Sequence, residues 1–350
     1  MSTMKAMIIR QHGRPEVLEL AEMPMPEPGP GQALVKVGAV SVNSYLDVTN
    51  RQGGINYRTY PMPNILGSEH AGQLVALGPG TESPLPIGST VAVVNVIPCG
   101  VCDWCRDGHT HGCPNVDIIG VSVPGAYAQY TVVPVANLRA VPEHISVLQA
   151  AGVNVLGPLA VQQLLEARAE PGQTVLVQAG ASGSGVMAAG VAKALGLTVY
   201  GTTRTPSKVE PLLALGIFDA VVDTSAPRPE DTLADLSHGH GMDIVIDNLG
   251  DQALWSLSLA ALAPMGTVVV SGAKFGGKVT LDTQRIYQLG QRIIGLRMSS
   301  PAAREQFWAL VNDGKVTPIV DQVFPLERAA DAHHHVEAGL NIGRSVITVD

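Results

Sequence analysis

Between Gln173 and Gly201 the chain reads as a strand, a glycine-rich turn, a helix and a second strand, and few folds admit that order in so short a span. Gln173-Thr174-Val175-Leu176-Val177-Gln178 is a β-branched run of the kind that fills a buried strand. Ala179-Gly180-Ala181-Ser182-Gly183-Ser184-Gly185 follows. Then come an alanine-rich helical stretch from Val186 to Leu195, a stop at Gly196, and the apolar run Leu197 to Gly201. A turn in this place offers backbone N–H groups and the positive end of a helix, which together favour a pyrophosphate. The spacing of Gly180, Gly183 and Gly185 is G-x-x-G-x-G rather than the commoner G-x-G-x-x-G. A glycine-rich loop by itself can simply turn a corner. Its place between strand and helix is what points to a dinucleotide held by Gly180, Ser182, Gly183, Ser184 and Gly185.

The end of the second strand bears on which dinucleotide. An NAD site usually carries Asp or Glu about 20 residues past the glycines, to hold the ribose 2′-OH. Here the chain reads Gly201-Thr202-Thr203-Arg204-Thr205-Pro206-Ser207-Lys208, with hydroxyls and two cations but no acid. Thr202, Thr203, Arg204 and Lys208 suit a 2′-phosphate, since a guanidinium can fork onto phosphate oxygens. NADPH is therefore expected over NADH; the alternative is a solvated loop in which Lys208 merely starts the next helix.

More strands continue the alternation: Ala220 to Asp223, Asp243 to Asp247, and Thr267 to Ser271. In an open parallel sheet the ligand lies over the carboxyl ends of the strands. That places Asn248, Leu249, Ser271, Gly272 and Ala273 against the ribose and nicotinamide. Alternating strands and Ala/Leu-rich helices predict an α/β, doubly wound parallel sheet over about 156–298. Residues 1–150 differ, with short strands (33–40, 73–77 and 90–94) between Gly/Pro turns, and read as a compact β-barrel-like domain. The β run from Arg344 to Val349 is expected to return to it. A length of 350 residues accommodates two or three such domains.

All four cysteines, Cys99, Cys102, Cys105 and Cys113, fall in one segment with the spacing C-x2-C-x2-C-x7-C. Paired disulfides suit small secreted domains better than a chain of this size. Four thiolates this close can wrap one tetrahedral Zn²⁺ and leave no open position, so the expectation is one structural zinc per chain. Free thiols, another metal or an emptied site are the alternatives. A closed four-sulfur site stabilises a loop and activates neither water nor a carbonyl.

Composition excludes other classes. A net charge of -8 and a pI near 5.7 argue against a nucleic-acid partner, and 4% aromatic residues against a base-stacking platform. No run of about 18 uncharged apolar residues appears, so no membrane helix is expected. Met1-Ser2-Thr3-Met4-Lys5-Ala6 lacks the apolar core of a signal peptide, which makes the cytoplasm the expected compartment.

Further motifs carry a family resemblance. They are Glu27-Pro28-Gly29-Pro30-Gly31-Gln32, Ile65-Leu66-Gly67-Ser68-Glu69-His70-Ala71-Gly72, the Cys99–Cys113 loop, and Gly125-Ala126-Tyr127-Ala128-Gln129-Tyr130. The turn from Ala179 to Gly185 and the end Gly343-Arg344-Ser345-Val346-Ile347 complete the set. With them the chain resembles the medium-chain dehydrogenase/reductase superfamily, that of zinc alcohol dehydrogenases and quinone oxidoreductases. The resemblance implies a GroES-like catalytic domain over 1–155 that carries the cysteine loop, and a Rossmann NADPH-binding domain over 156–298. It implies a return to the catalytic domain over 299–350, with the cofactor in the cleft between the two. It also implies a homodimer acting on a small-molecule substrate.

The departures from the family are informative. Its zinc-dependent members hold a catalytic zinc with a Cys near the start, a His from Gly-His-Glu, and a Cys just before the cofactor domain. Here the first position falls in Val42-Asn43-Ser44-Tyr45-Leu46-Asp47, with one extra residue between Asn43 and Asp47, so that Asn43 or Ser44 stands there. The second is Ser68 and the third Asn154, which leaves only Glu69, and one carboxylate cannot hold a catalytic zinc. The texture is that of the zinc-free quinone oxidoreductase-like branch with the structural zinc loop retained. Without a metal to polarise a carbonyl, reduction of an enone, quinone or similar acceptor by NADPH is favoured, because the substrate itself delocalises charge. A zinc-free carbonyl or iminium reductase, or a non-catalytic NADPH-binding protein, are the rival readings.

Tyr45 is the preferred proton donor, against the alternative of a core tyrosine. Asn43 and Ser44 are oxyanion donors or turn caps. Glu69 and His70 form a proton relay or a buried structural hydrogen bond, and Asn154 touches nicotinamide or substrate, or merely packs. Arg297 follows Gly295-Leu296 in a segment that the family uses near the nicotinamide. His333, His334 and His335 cannot all face one ion on a helix and are expected on a helix surface.

Overall fold

The computed structural model describes residues 2–350 and divides into two compact units, Met1–Val155 with Thr317–Asp350, and Leu156–Val316. The return to the first unit was expected from residue 299; it begins at Thr317. The helix Pro301–Asn312 stays with the second unit because its apolar face packs on the helix Leu156–Ala167. Gly157 lies so close to the Phe307 ring that a Cβ there would sit 2.1 Å from it. The Ser300 N–H also donates to Gln162 Oε1 at 2.9 Å.

In the first unit the long strand Gln32–Ser41 is the organiser. It pairs antiparallel with Glu69–Leu77, Tyr130–Pro134 and Arg344–Thr348. Its register sets Val40 against His70 and Ser41 against Glu69, while Ile347 of the last strand also faces Val40. Residues from both ends of the chain thereby enter one apolar cluster, including Ile8, Val40, Leu66, Tyr127, Phe324 and Ile347.

The second unit is a six-stranded parallel sheet in the order Ala220–Asp223, Thr198–Thr203, Thr174–Val177, Met242–Ile246, Leu262–Val270, Arg292–Gly295. The order reverses between Thr174–Val177 and Met242–Ile246, which makes the doubly wound switch point expected from the sequence. Leu176, Val245 and Val268 are fully buried, as the near-continuous apolar runs of these strands require. Among the described residues no helix is long and apolar enough to cross a membrane.

The triple histidine departs from its surface expectation. His334 and His335 bond Glu16 and Asp321 at 2.8 and 2.7 Å, but His333, on the inner face of Ala329–Glu337, is fully buried. Its Nδ1 accepts from Arg51 Nε at 3.1 Å and its Nε2 lies 2.9 Å from the Tyr127 hydroxyl. Burial, with the Arg51 charge adding to it, lowers the imidazole to about 3, so it is neutral. With Nδ1 accepting, the proton sits on Nε2 and donates to Tyr127. Arg51, itself fully buried, also pairs with Glu337 and donates to the Gly13 carbonyl. Arg51→Met strips donors from the buried His333 Nδ1, the half-buried Gly13 carbonyl and the Glu337 carboxylate at once and is expected to cost about 3–5 kcal/mol of stability. Equilibrium urea unfolding measures it, and a loss below about 1 kcal/mol would show that water takes the place of the guanidinium.

Candidate active site and metal centre

In the second unit the glycine-rich turn has the form that the sequence predicts. Ala179 takes a left-handed φ of 54°, and the helix Gly183–Ala194 starts directly after Ser182. Ser182 Oγ accepts from the Gly185 N–H at 3.0 Å and donates to the Ala179 carbonyl at 2.8 Å, so the turn is closed by its own serine. A Cβ on Gly185 would lie 2.3 Å from the Ala179 carbonyl oxygen, and only glycine lets helix and turn meet so closely. Gly180 is fixed by its N–H to the Thr202 carbonyl at 2.7 Å, and Ser184 Oγ lies 3.1 Å from Ser182 Oγ. This cradle at a helix N-terminus fits a dinucleotide pyrophosphate.

Thr202 is corrected from its expected role. Its hydroxyl accepts from the Ala179 N–H and donates to Gln178 Oε1 at 2.6 Å, and the residue is buried. It ties the turn to the second strand and has no hydrogen left for a ligand. Thr203 turns its hydroxyl to the Thr205 backbone. Arg204 is exposed at the strand end, and Lys208 is half-buried in the following turn. The nearest acid in register is Asp223, paired with Thr203 across the strands, and its Oδ1 is engaged by the Ser225 N–H and hydroxyl.

Asn248 and Ser271 meet at the carboxyl ends of their strands. Asn248 Oδ1 accepts from the Ser271 N–H and hydroxyl at 2.8 and 2.9 Å, and Gln163 Nε2 donates to both side chains. Gln163 escaped the sequence reading because it lies on a helix with no motif around it. Leu249 is held by its N–H to Asp247, and Gly272 sits against Asn248, where a Cβ would come within 3.2 Å of its carbonyl oxygen. Ala273 and Arg297 are exposed.

In the first unit the segment after Asn43, where the family resemblance implied one extra residue, forms a π-helical turn, Ser44–Thr49. The Val48 N–H reaches the Asn43 carbonyl at 3.1 Å, the wide pattern that takes up an inserted residue. Asn43 caps this turn: its Oδ1 accepts from Tyr45 and Leu46 N–H, both at 3.0 Å, while its Nδ2 donates to Glu69 Oε2 at 2.9 Å. It is a cap and not the oxyanion donor considered above. Ser44, half-buried, accepts through its carbonyl from Thr49 Oγ1.

Glu69 also accepts from the Val155 N–H at 3.2 Å and pairs with Arg344. His70 points to the other face of the strand, neither of its ring nitrogens has a partner among the described residues, and burial lowers it to about 3. The proton relay between Glu69 and His70 is therefore withdrawn. Asp47, fully buried, accepts from the N–H groups of Asn43, Gly67 and Ser68 at 2.8, 3.1 and 3.1 Å. Burial nevertheless pushes its carboxyl up to about 7. Asp47 and Arg344 were not singled out in the sequence, although the extra residue pointed to the first. Ser68 is buried with its hydroxyl unpartnered, and Asn154 is buried next to Val155. Tyr45 is not a core tyrosine: it is 43% exposed and packs edge-on to Tyr57 at 6.4 Å.

A catalytic zinc does not fit these residues. The Asn43 amide is engaged at both ends, Glu69 is neutralised by Arg344, and a serine hydroxyl replaces imidazole. The cysteines do fit zinc. Their Sγ atoms lie within 4.8 Å of one another, with Cys102 3.4 and 3.8 Å from Cys105 and Cys113. Zn–S bonds of about 2.3 Å in a tetrahedron require sulfurs about 3.8 Å apart. Backbone N–H groups of Val101 and Cys102 draw Cys99 down to about 6, and left-handed Gly100 and Gly108 let the loop fold back.

Residues 29–143 match the alcohol dehydrogenase GroES-like domain and 183–313 the zinc-binding dehydrogenase domain. The NAD-dependent alcohol dehydrogenase of Sulfolobus acidocaldarius is 29% identical over 99% of this chain and all of its own. The L-threonine 3-dehydrogenase of Pyrococcus horikoshii is 35% identical over 75% of this chain and 74% of its own. A crystal structure of an NAD-dependent alcohol dehydrogenase superposes with a TM-score of 0.91 at 33% identity, covering 99% of this chain and 100% of that one. The chain belongs to the zinc-type medium-chain dehydrogenase superfamily and is an oxidoreductase.

Metal analysis is expected to give one zinc per chain. Cys102→Ser is expected to release it and lower the melting temperature, because thiolate–metal bonds stabilise the folded loop. Two zincs per chain would overturn the metal-free reading of the Asn43, Ser68 and Asn154 positions.

Proposed function

We propose that this oxidoreductase uses NADPH to reduce an activated double bond, an enone, quinone or similar acceptor, without a catalytic metal. The observation that carries the reading is the commitment of Asn43 and Glu69 to a hydrogen-bonded network with Arg344. When bound, the reduced nicotinamide supplies a hydride, and that chemistry belongs to the cofactor. The chain supplies the polar contacts. Hydride addition to the β-carbon of an enone moves the electron pair onto the substrate oxygen; a proton on that oxygen gives the enol, and its transfer through solvent to the α-carbon gives the saturated ketone. The exposed Tyr45 hydroxyl is the donor for that oxygen, and solvent returns the proton to the phenol. Several relatives are named for NAD; what supports a 2′-phosphate here is the exposed Arg204 and the lack of Asp or Glu within Gly201–Lys208.

Arg204→Ala is expected to weaken NADPH about tenfold to a hundredfold while leaving NADH nearly unchanged, read by fluorescence titration. Equal weakening of both would make Arg204 structural.

Tyr45→Phe keeps the ring and its contact with Tyr57. Loss of one preorganised donor typically costs about 10²–10³ in kcat, here measured for NADPH-driven enone reduction. An unchanged kcat removes Tyr45 from the mechanism. A panel of enones, quinones, aldehydes and imines separates the rivals: turnover confined to aldehydes or imines favours a carbonyl or iminium reductase, and none at all a binding protein.

A further inference from the structure

The strand Leu262–Val270 ends three places along the sheet from Thr198–Thr203, the strand that presents Arg204. At about 4.8 Å per neighbour their ends stand roughly 14 Å apart. Yet the Arg204 guanidinium carbon lies 5.5 Å from the centroid of the Phe275 ring. The segment 271–278 bridges the gap by running back across the carboxyl end of the sheet. The N–H of Phe275 donates to the Leu249 carbonyl at 2.7 Å, and Gly250 and Gly277 pack backbone to backbone, each with a left-handed φ. A Cβ on Gly250 would approach Gly277 to 2.8 Å, so this crossing is built for close contact. Phe275 remains 47% exposed beside the guanidinium.

We propose that Phe275 is a positioning residue for cofactor discrimination. Its ring holds the plane of Arg204 so that the guanidinium fork is preorganised for a 2′-phosphate. The inference rests on the NADPH reading given above. Arg204 has four rotatable side-chain bonds and stands exposed at a strand end, so an unsupported guanidinium would sample many rotamers and lose that freedom on binding. The ring quadrupole attracts the cation and restricts it before the ligand arrives. Lys208, half-buried in the next turn, is a second cation near this strand end.

The test is a titration of the full chain with NADPH and with NADH, comparing wild type, Phe275→Leu, Phe275→Tyr, Arg204→Ala and the double variant Arg204→Ala/Phe275→Leu. Leucine keeps apolar bulk and the backbone bond to Leu249 but removes the ring. Phe275→Leu is expected to weaken NADPH by roughly three- to tenfold, with NADH unchanged. Phe275→Tyr is expected to restore the wild-type ratio, and in the Arg204→Ala background Phe275→Leu to have no further effect. Equal weakening of both cofactors, tightening of both, or an undiminished effect of Phe275→Leu without Arg204 overturns the inference. If Arg204→Ala shifts the NADPH-to-NADH ratio and Phe275→Leu does not, this inference fails alone. If Arg204→Ala leaves the ratio unchanged, the NADPH reading fails with it.

Discussion

A buried carboxylate must be neutralised or paired, and Glu69 is paired with a guanidinium 275 residues away along the chain. Its strand partner Ser41, the cap Asn43, the backbone of Val155 and the C-terminal Arg344 all converge on it or lie beside it. The pair therefore closes the first unit at both sequence ends, and the whole second unit is an insertion between Val155 and Thr317. Removing either charge would strand the other in a place that water does not reach. The same carboxylate fixes the Asn43 amide, which caps the π-helical turn that presents Tyr45. The proposed proton donor is thus held by a chain of contacts that begins at a salt bridge.

That network explains why the metal positions cannot simply be refilled. Asn43→Cys would supply a thiolate but remove one of the donors to Glu69, leaving the Val155 N–H and Arg344, and would leave the turn without its cap. Two negative groups, Glu69 and the new thiolate, would then face each other near the already buried Asp47, whose burial favours its protonated form. The contacts of Asn43, Glu69 and Arg344 are coupled, and replacing one of these residues costs stability before it gains a ligand.

Much of this was legible in the sequence, and the limits are physical. The glycine turn, the cysteine spacing and the alternation of strands in 156–298 are local signals, and the structure places each where it was expected. The extra residue before Asp47 was visible as a count, but that it widens a helical turn depends on hydrogen bonds no count reveals. His333 was misread because three polar residues in a row suggest a surface; its partners Arg51 and Tyr127 lie 282 and 206 residues away. Thr202 had the right residue type for a ligand contact, and only the position of Gln178 on the neighbouring strand shows that its hydroxyl is occupied. Residues 299–316 follow the last strand and might have crossed back at once, but the close fit of Phe307 onto Gly157 keeps them in the second unit.

The groups at the carboxyl edge of the second unit bear on how an anionic ligand is recognised. The first unit buries Asp47, Arg51, Glu69 and Arg344 in its interior. At the carboxyl edge of the second unit Gln163, Asn248 and Ser271 bond to one another and Gln178 to Thr202, while the carboxylate of the buried Asp247 is taken up by the Leu249 N–H and the Ser258 hydroxyl. Neutral dipoles and a helix N-terminus hold a pyrophosphate common to both nicotinamide cofactors and cannot tell them apart. Discrimination must come from a formal charge placed where the two ligands differ. On this strand end the exposed charge is Arg204, and in the proposed NADPH reading its reach is useful only if the ring of Phe275 beside it sets its direction.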